Sequence, residues 1–217
     1  MTSVGKKAVM AVSGLILVGF VIVHLADNCL IFLGPDALNG FAHRLHRLGP
    51  LLWTARLILL AAVFVHIVTS IQLTIENRRA RARRYAVYRP SDTTLAARTM
   101  ALSGLLILAY VVYHLLHFTF RTTDPSLQHL TDAMGRYDVY RMVVRSFQQP
   151  GIVLAYAAGL VVVCAHLSHS IGSVFQTLGL ADDRTLPLVM TAGRVLSGLL
   201  FVGYMSIPLT VLLGVVR

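Results

Sequence analysis

The sequence predicts an all-α membrane protein built on five transmembrane helices, and three observations carry that expectation. Mean hydropathy is +0.72 over the 217 residues. Apolar residues make up 56% of the chain and charged ones only 13%, where a soluble domain would carry about a quarter. Five apolar runs are each long enough for the roughly 20 residues a spanning helix needs. The whole chain, 1–217, reads as one transmembrane domain with little room for a separate soluble module.

The spans are expected at roughly 8–33, 52–76, 99–120, 151–177 and 188–215. The first follows Lys6 and Lys7 and so resembles a signal peptide, but its apolar run continues past Leu30 without a small-residue cleavage motif. It is read as an uncleaved helix. Gly34-Pro35 ends it, Gly49-Pro50 precedes the second, Pro150-Gly151 the fourth and Pro187 the fifth. Proline suits a first helical turn, where its missing N–H has no partner in any case. Pro208 lies within the fifth span and is expected to kink it. The stretch from Tyr137 to Gln149 is amphipathic and is expected to lie along the membrane interface.

Nineteen Lys and Arg against nine Asp and Glu give a net charge of +10. Nucleic-acid binding would explain such a balance, but the basic residues occupy loops between apolar runs, which points to topology and anionic lipid. The richest loop, between spans two and three, holds Arg78, Arg79, Arg81, Arg83, Arg84 and Arg89. It is assigned to the cytoplasm, with the N-terminus inside and the C-terminus outside a cell inner membrane. Cys29 and Cys164 fall inside apolar runs without CxxC spacing and read as small buried hydrophobes.

Each of the first four spans carries histidine: His24, His66, His114 with His117, and His166 with His169. Ionisable groups are costly inside a bilayer, so each is a functional candidate. A single one has a plain structural alternative, a hydrogen bond to a neighbouring helix; one on each of four consecutive helices has far less claim to it. Depth sorts them. At 1.5 Å per residue, His24 lies about 25 Å from Lys7 and His114 about 24 Å from Arg98, whereas His66 lies about 16 Å from Asn77 and His166 about 18 Å from Leu178. All four distances start from the basic end, so His24 pairs with His114 in an outer layer and His66 with His166 in an inner one.

An internal repeat gives the same pairs. SGLILVGFVIVHL (13–25) parallels SGLLILAYVVYHL (103–115), and HIVTSI from His66 parallels HLSHSI from His166. SGLL recurs at Ser197 with no histidine at the matching offset, so Gly14 and Gly104 read first as helix-packing positions and only second as porphyrin contacts.

Two imidazoles at one depth on facing helices supply both axial positions of a haem, and two layers imply two haems. Zinc wants about four N or S ligands at one point. A proton relay would add carboxylates, but the spans hold only Asp27 and Glu76, both near ends. Iron clamped by two histidines has no open position, which favours electron transfer over oxygen chemistry. His43 and His46 read as part of a solvated basic loop, with a contact to a quinone head or haem propionate as the alternative. His117, His129 and His169 read as structural.

With these residues in view, the chain resembles the cytochrome b subunit of succinate:quinone oxidoreductases, the b558-type membrane anchor of succinate dehydrogenase and fumarate reductase. The matching stretches are KKAVMAVSGLILVGFVIVHLADN, DALNGFAHRLHRLGPLLWTARLILL, the Arg-rich run ending in RRY, SGLLILAYVVYHLLHFTF, and YDVYRMVVRSFQQP followed by HLSHSIGSVFQTLGL. They touch all of spans one to four. The resemblance implies a four-helix haem-binding bundle plus a fifth outer helix. It also implies two b haems, with His24 and His114 on the outer iron and His66 and His166 on the inner one.

The same resemblance implies a soluble FAD-containing subunit that oxidises succinate, an iron–sulfur subunit, and a membrane quinone, commonly menaquinone. The chain itself would be the electron-transfer subunit of that enzyme. Asp27 and Ser170 stand where relatives often have glycine. Asp27, His43 and Arg56 are the candidate quinone contacts. The alternatives are a haem-free quinone-binding anchor of the same complex, or a haem b subunit of another membrane oxidoreductase.

Overall fold

A computed structural model describes residues 2–80 and 95–217. Arg81, Arg83, Arg84 and Arg89, which carry most of the topology argument, lie outside the described residues.

Five helices are long and apolar enough to cross a membrane: Ser3–Leu33, Pro50–Ala80, Thr99–Thr119, Pro150–Thr177 and Leu186–Leu212. The protein is a multi-pass, all-α membrane protein. The first span is α1 (Ser3–Asn28), capped by the Thr2 hydroxyl accepting from the Gly5 N–H at 3.2 Å, and it tightens into a 3-10 turn over Cys29–Leu33. Gly34, at φ 96° and ψ 177°, then reverses the chain in a conformation closed to residues with a Cβ.

The segment after Gly34 is a helix, α2 (Pro35–Arg47), and not the solvated loop expected for His43 and His46. Its end signals are all present: Pro35 in the first turn, Asp36 beside the positive N-terminus, and Arg44, His46 and Arg47 at the negative C-terminus. Only Leu38, Asn39 and Gly40 are buried, so its apolar stripe is too narrow to register as a span.

Next come α3 (Pro50–Ala80) and α4 (Leu95–His114), the latter continuing into a π-helical turn at Leu115–Thr119. A short helix, α5 (Val139–Phe147), starts where the Asp138 carboxylate accepts from the Arg141 N–H at 2.9 Å. The amphipathic reading of this stretch holds, but its apolar face is turned to protein. Met142, Val143, Val144 and Phe147 are buried in a cluster with Ile31, Leu127, Tyr156 and Val211. Finally α6 (Pro150–Thr177) and α7 (Leu186–Leu212) complete the spans; α7 runs on through Pro208, which is buried.

Helix α1 packs against α3 and α6, and α4 packs against α6 and, more thinly, α3. This closes a ring in which α1 faces α4, and α3 faces α6, across the middle. Outside the ring, α7 lies along α6 and touches α1. Its approach depends on small residues: a Cβ at Gly193 would come within 3.0 Å of Ile171, and one at Gly203 within 2.7 Å of Leu25.

The two ends of the bundle are held differently. At the end that the basic residues lead one to expect outside, Asn39, 1% exposed, donates to Asp138 Oδ1 at 3.0 Å and accepts from the Tyr140 N–H at 2.9 Å. Arg136 bridges Asp132 (2.7 Å) and Asp36 (2.8 Å). At the opposite end the Lys6–Glu76 ion pair joins α1 to α3.

Candidate functional site

The four histidines expected as ligands, His24, His66, His114 and His166, lie one on each ring helix and are half-buried, as is His169 on α6. His24 lies near the end of α1 and His114 ends α4, and their rings meet with centroids 5.9 Å apart and planes at 86°. The two helices face each other across the ring, so this contact lies in its interior. Aromatic residues surround the pair. Phe20 stacks on His24 at 5.2 Å, Tyr204 lies 6.3 Å away, and Tyr110, Phe118 and Tyr156 pack round His114. Gly159 makes room for this wall, since a Cβ there would fall 2.2 Å from the Tyr110 ring.

His66 on α3 and His166 on α6 lie within electrostatic reach of one another. Each is held from a neighbouring helix by the serine of the Ser-Gly-Leu repeat. His166 Nδ1 lies 2.8 Å from Ser103 Oγ. His66 Nδ1 lies 3.3 Å from Ser13 Oγ and 3.1 Å from the Met10 carbonyl. Since the carbonyl can only accept, it calls for a proton on His66 Nδ1 and leaves Nε2 with its lone pair free. Gly14 and Gly104 face these rings and not a neighbouring backbone: a Cβ would come 3.3 Å from His66 Cε1 at Gly14, and 3.9 Å from His166 Cε1 at Gly104.

His117 lies in the π-helical turn and is 1% exposed. Its Nδ1 is 2.9 Å from the Tyr156 hydroxyl, which is also 3.4 Å from His114 Nδ1. One phenol oxygen thus lies within hydrogen-bonding distance of both imidazoles. His117 Nε2 is buried without a hydrogen-bond partner among the described residues.

The three candidate quinone contacts, Asp27, His43 and Arg56, lie on α1, α2 and α3. Asp27 lies within electrostatic reach of His24 and Tyr204. His43 is exposed on α2, and Arg56 is exposed with its guanidinium 5.1 Å from the Trp53 ring. Ser13, Ser103, Tyr156 and Tyr204 are site residues that the sequence reading missed. The repeat contained both serines, but the third copy, in which Ser197 bonds its own Gly193 carbonyl at 2.8 Å, hid their role. No sequence pattern singles out Tyr156.

Among the described residues no group of three or more His, Cys, Asp or Glu side chains could hold a metal ion. Among the described residues the rings of His24 and His114 meet as a pair. No family model, no curated protein and no solved structure matches this chain.

Proposed function

We propose that this chain is the membrane-anchor cytochrome b subunit of a succinate:quinone oxidoreductase, carrying electrons between an iron–sulfur subunit and membrane quinone through two bis-histidine haems b. The observation that supports this most is the His24–His114 pair. Their rings meet with centroids 5.9 Å apart on helices that face each other. In this reading His24 and His114 would hold one haem, and His66 and His166 the other.

The surroundings fit the same role. A histidine that ligates metal usually has its other ring nitrogen held by a hydrogen bond, which fixes tautomer and orientation. Ser103 does this for His166, Ser13 with the Met10 carbonyl for His66, and Tyr156 for His114. If His114 uses Nε2 as a ligand, its Nδ1–H donates to Tyr156, and Tyr156 donates to His117 Nδ1. Haem bound at these pairs supplies one-electron transfer. The spans keep water away from the rings. In this reading the basic end, with Lys7, Arg78 and Arg79, faces the cytoplasm of a cell inner membrane. There it steers the acidic surface of the iron–sulfur partner, beyond which lies the FAD-containing subunit. Menaquinone is the quinone proposed, with Asp27 the candidate contact nearest a histidine pair.

The test is a reduced-minus-oxidised absorbance spectrum of the purified complex, with subunits identified by co-purification. The expected result is b-type bands from two haems, one of which is lost in His114→Ala while the other persists. Absence of b-type bands would leave only the haem-free anchor. A molybdenum or nickel partner would move the chain to another oxidoreductase.

A further inference from the structure

An arginine stands where none of the foregoing needs one. Arg194 lies eight residues into α7, about 12 Å along it from Leu186. It is exposed and makes no hydrogen bond or ion pair among the described residues. A 27-residue helix is about 40 Å long against a hydrocarbon core of about 30 Å, so about 5 Å of each end lies in the interface. The Arg194 backbone is therefore about 7 Å inside the hydrocarbon, a depth from which a long side chain reaches the headgroups by snorkelling.

Arg194 stands at one end of a groove of about 340 Å³ between α6 and α7, lined also by Val161, Ser168, Ser197, Gly198 and Phe201. Ser168 is nine residues before Thr177, about 14 Å along α6 from the same end of the bundle. Val161 and Phe201 lie deeper, about 24 and 22 Å along their helices from that end, near the bilayer centre. The groove is polar toward the headgroups and apolar toward the midplane. The groove is open at Gly198, where a Cβ would meet nothing within 4 Å. Both serine hydroxyls are already spent, Ser168 on the Ala165 carbonyl at 2.7 Å and Ser197 on Gly193. Arg194 is the one charged residue among those lining the groove.

From this we infer that the α6–α7 groove is a binding site for an anionic phospholipid, its phosphate on Arg194 and one acyl chain laid along Gly198 and Phe201 toward Val161. Charge decides between amphiphiles: a guanidinium that snorkels to headgroup level attracts an anionic phospholipid, whereas a neutral quinone offers it no charge. The leaflet is the right one, because Lys7, Arg78, Arg79 and Arg184 mark the same face. The inference is independent of haem.

Native mass spectrometry of the purified full-length protein, titrated with palmitoyl-oleoyl phosphatidylglycerol or phosphatidylcholine, tests it. Wild type should prefer the glycerol lipid by about fivefold, the effect of one basic residue near an anionic surface. Arg194→Gln should abolish the preference while the protein stays folded. Gly198→Leu, which fills the groove without altering charge, should reduce binding of both lipids. An unchanged preference in Arg194→Gln, or unchanged binding in Gly198→Leu, overturns the site. Displacement of phosphatidylglycerol by menaquinone, with quinone retention lost in Arg194→Gln, would overturn it in favour of a quinone groove.

Discussion

Gly159→Ala should destabilise the protein although alanine is the better helix former. A Cβ at this position would lie 2.2 Å from Tyr110 Cδ2, 2.5 Å from Cε2 and 2.6 Å from Cγ. Ordinary carbon contact is about 3.5 Å, so the ring must retreat by about 1.3 Å. Because Cγ is among the overlapped atoms, turning the ring about its own axis gives no relief; the side chain or the helix must move. Tyr110 contacts Tyr156 at 5.6 Å and His114 at 6.3 Å, so the displacement reaches the outer histidine pair. Overpacking of this kind costs about 1–3 kcal/mol, against a gain of up to about 1 kcal/mol in helix propensity. A net loss of up to about 2 kcal/mol lowers the Tm by up to roughly 8 °C for a chain of this length. Gly19→Ala is the control, since a Cβ there meets nothing within 4 Å. Thermal unfolding in detergent with near-ultraviolet circular dichroism reads both variants. Gly159→Ala unfolding at or above the temperature of Gly19→Ala, with an unaltered aromatic signal, would refute the reasoning.

Ser103→Ala should disturb its histidine more than Ser13→Ala, because His166 Nδ1 loses its 2.8 Å partner whereas His66 keeps the Met10 carbonyl at 3.1 Å. Nitrogen-15 NMR of labelled histidine checks this: the His166 ring signals move in Ser103→Ala and return in Ser103→Thr, and the opposite ordering of the two alanine variants refutes it. At the outer cap, partial burial would raise the Asp132 carboxyl, but hydrogen bonds from the Arg136 side chain and the Arg136 and Met134 N–H groups outweigh it and hold the group below the ordinary carboxylate range. A folded value below the unfolded one, about 4, means stabilisation that is complete above that pH and is lost as pH falls through the folded value. The Tm difference between wild type and Asp132→Asn should accordingly be constant at neutral pH and vanish in strong acid; a difference that grows on acidification contradicts the sign.

The spans were legible because a bilayer leaves the backbone no partner but itself, so each crossing must be one long apolar helix. Their ends were less so: α3 continues to Ala80, past the charged Arg78 and Arg79, because charge ends a hydrophobic run but not a helix. Helix α2 escaped notice for a related reason. Its buried stripe is three residues wide, and one of them, Asn39, is polar and buried for its hydrogen bonds. The spacing of histidines along their helices was enough to predict that His24 and His114 share a depth, and their rings do meet. What surrounds each ring was not legible. Ser13 and Ser197 belong to the same motif, but one hydroxyl reaches a histidine and the other its own helix, a difference set by which helix packs alongside. Tyr156 couples His114 to His117 from α6, some 40 residues away, and no local pattern encodes that meeting.

The polar clasp over the outer end joins Asn39 to Tyr140 and Asp36 to Arg136, partners about a hundred positions apart in the chain. A ribosome feeding this protein into a membrane must therefore release three hydrophobic segments before the clasp can close. Until then α1 and α3 are fastened near their other end by Lys6 and Glu76, two residues available as soon as the second segment emerges. His24 and His114 are both present once α4 has emerged, whereas His66 on α3 waits for His166 on α6, the fourth segment.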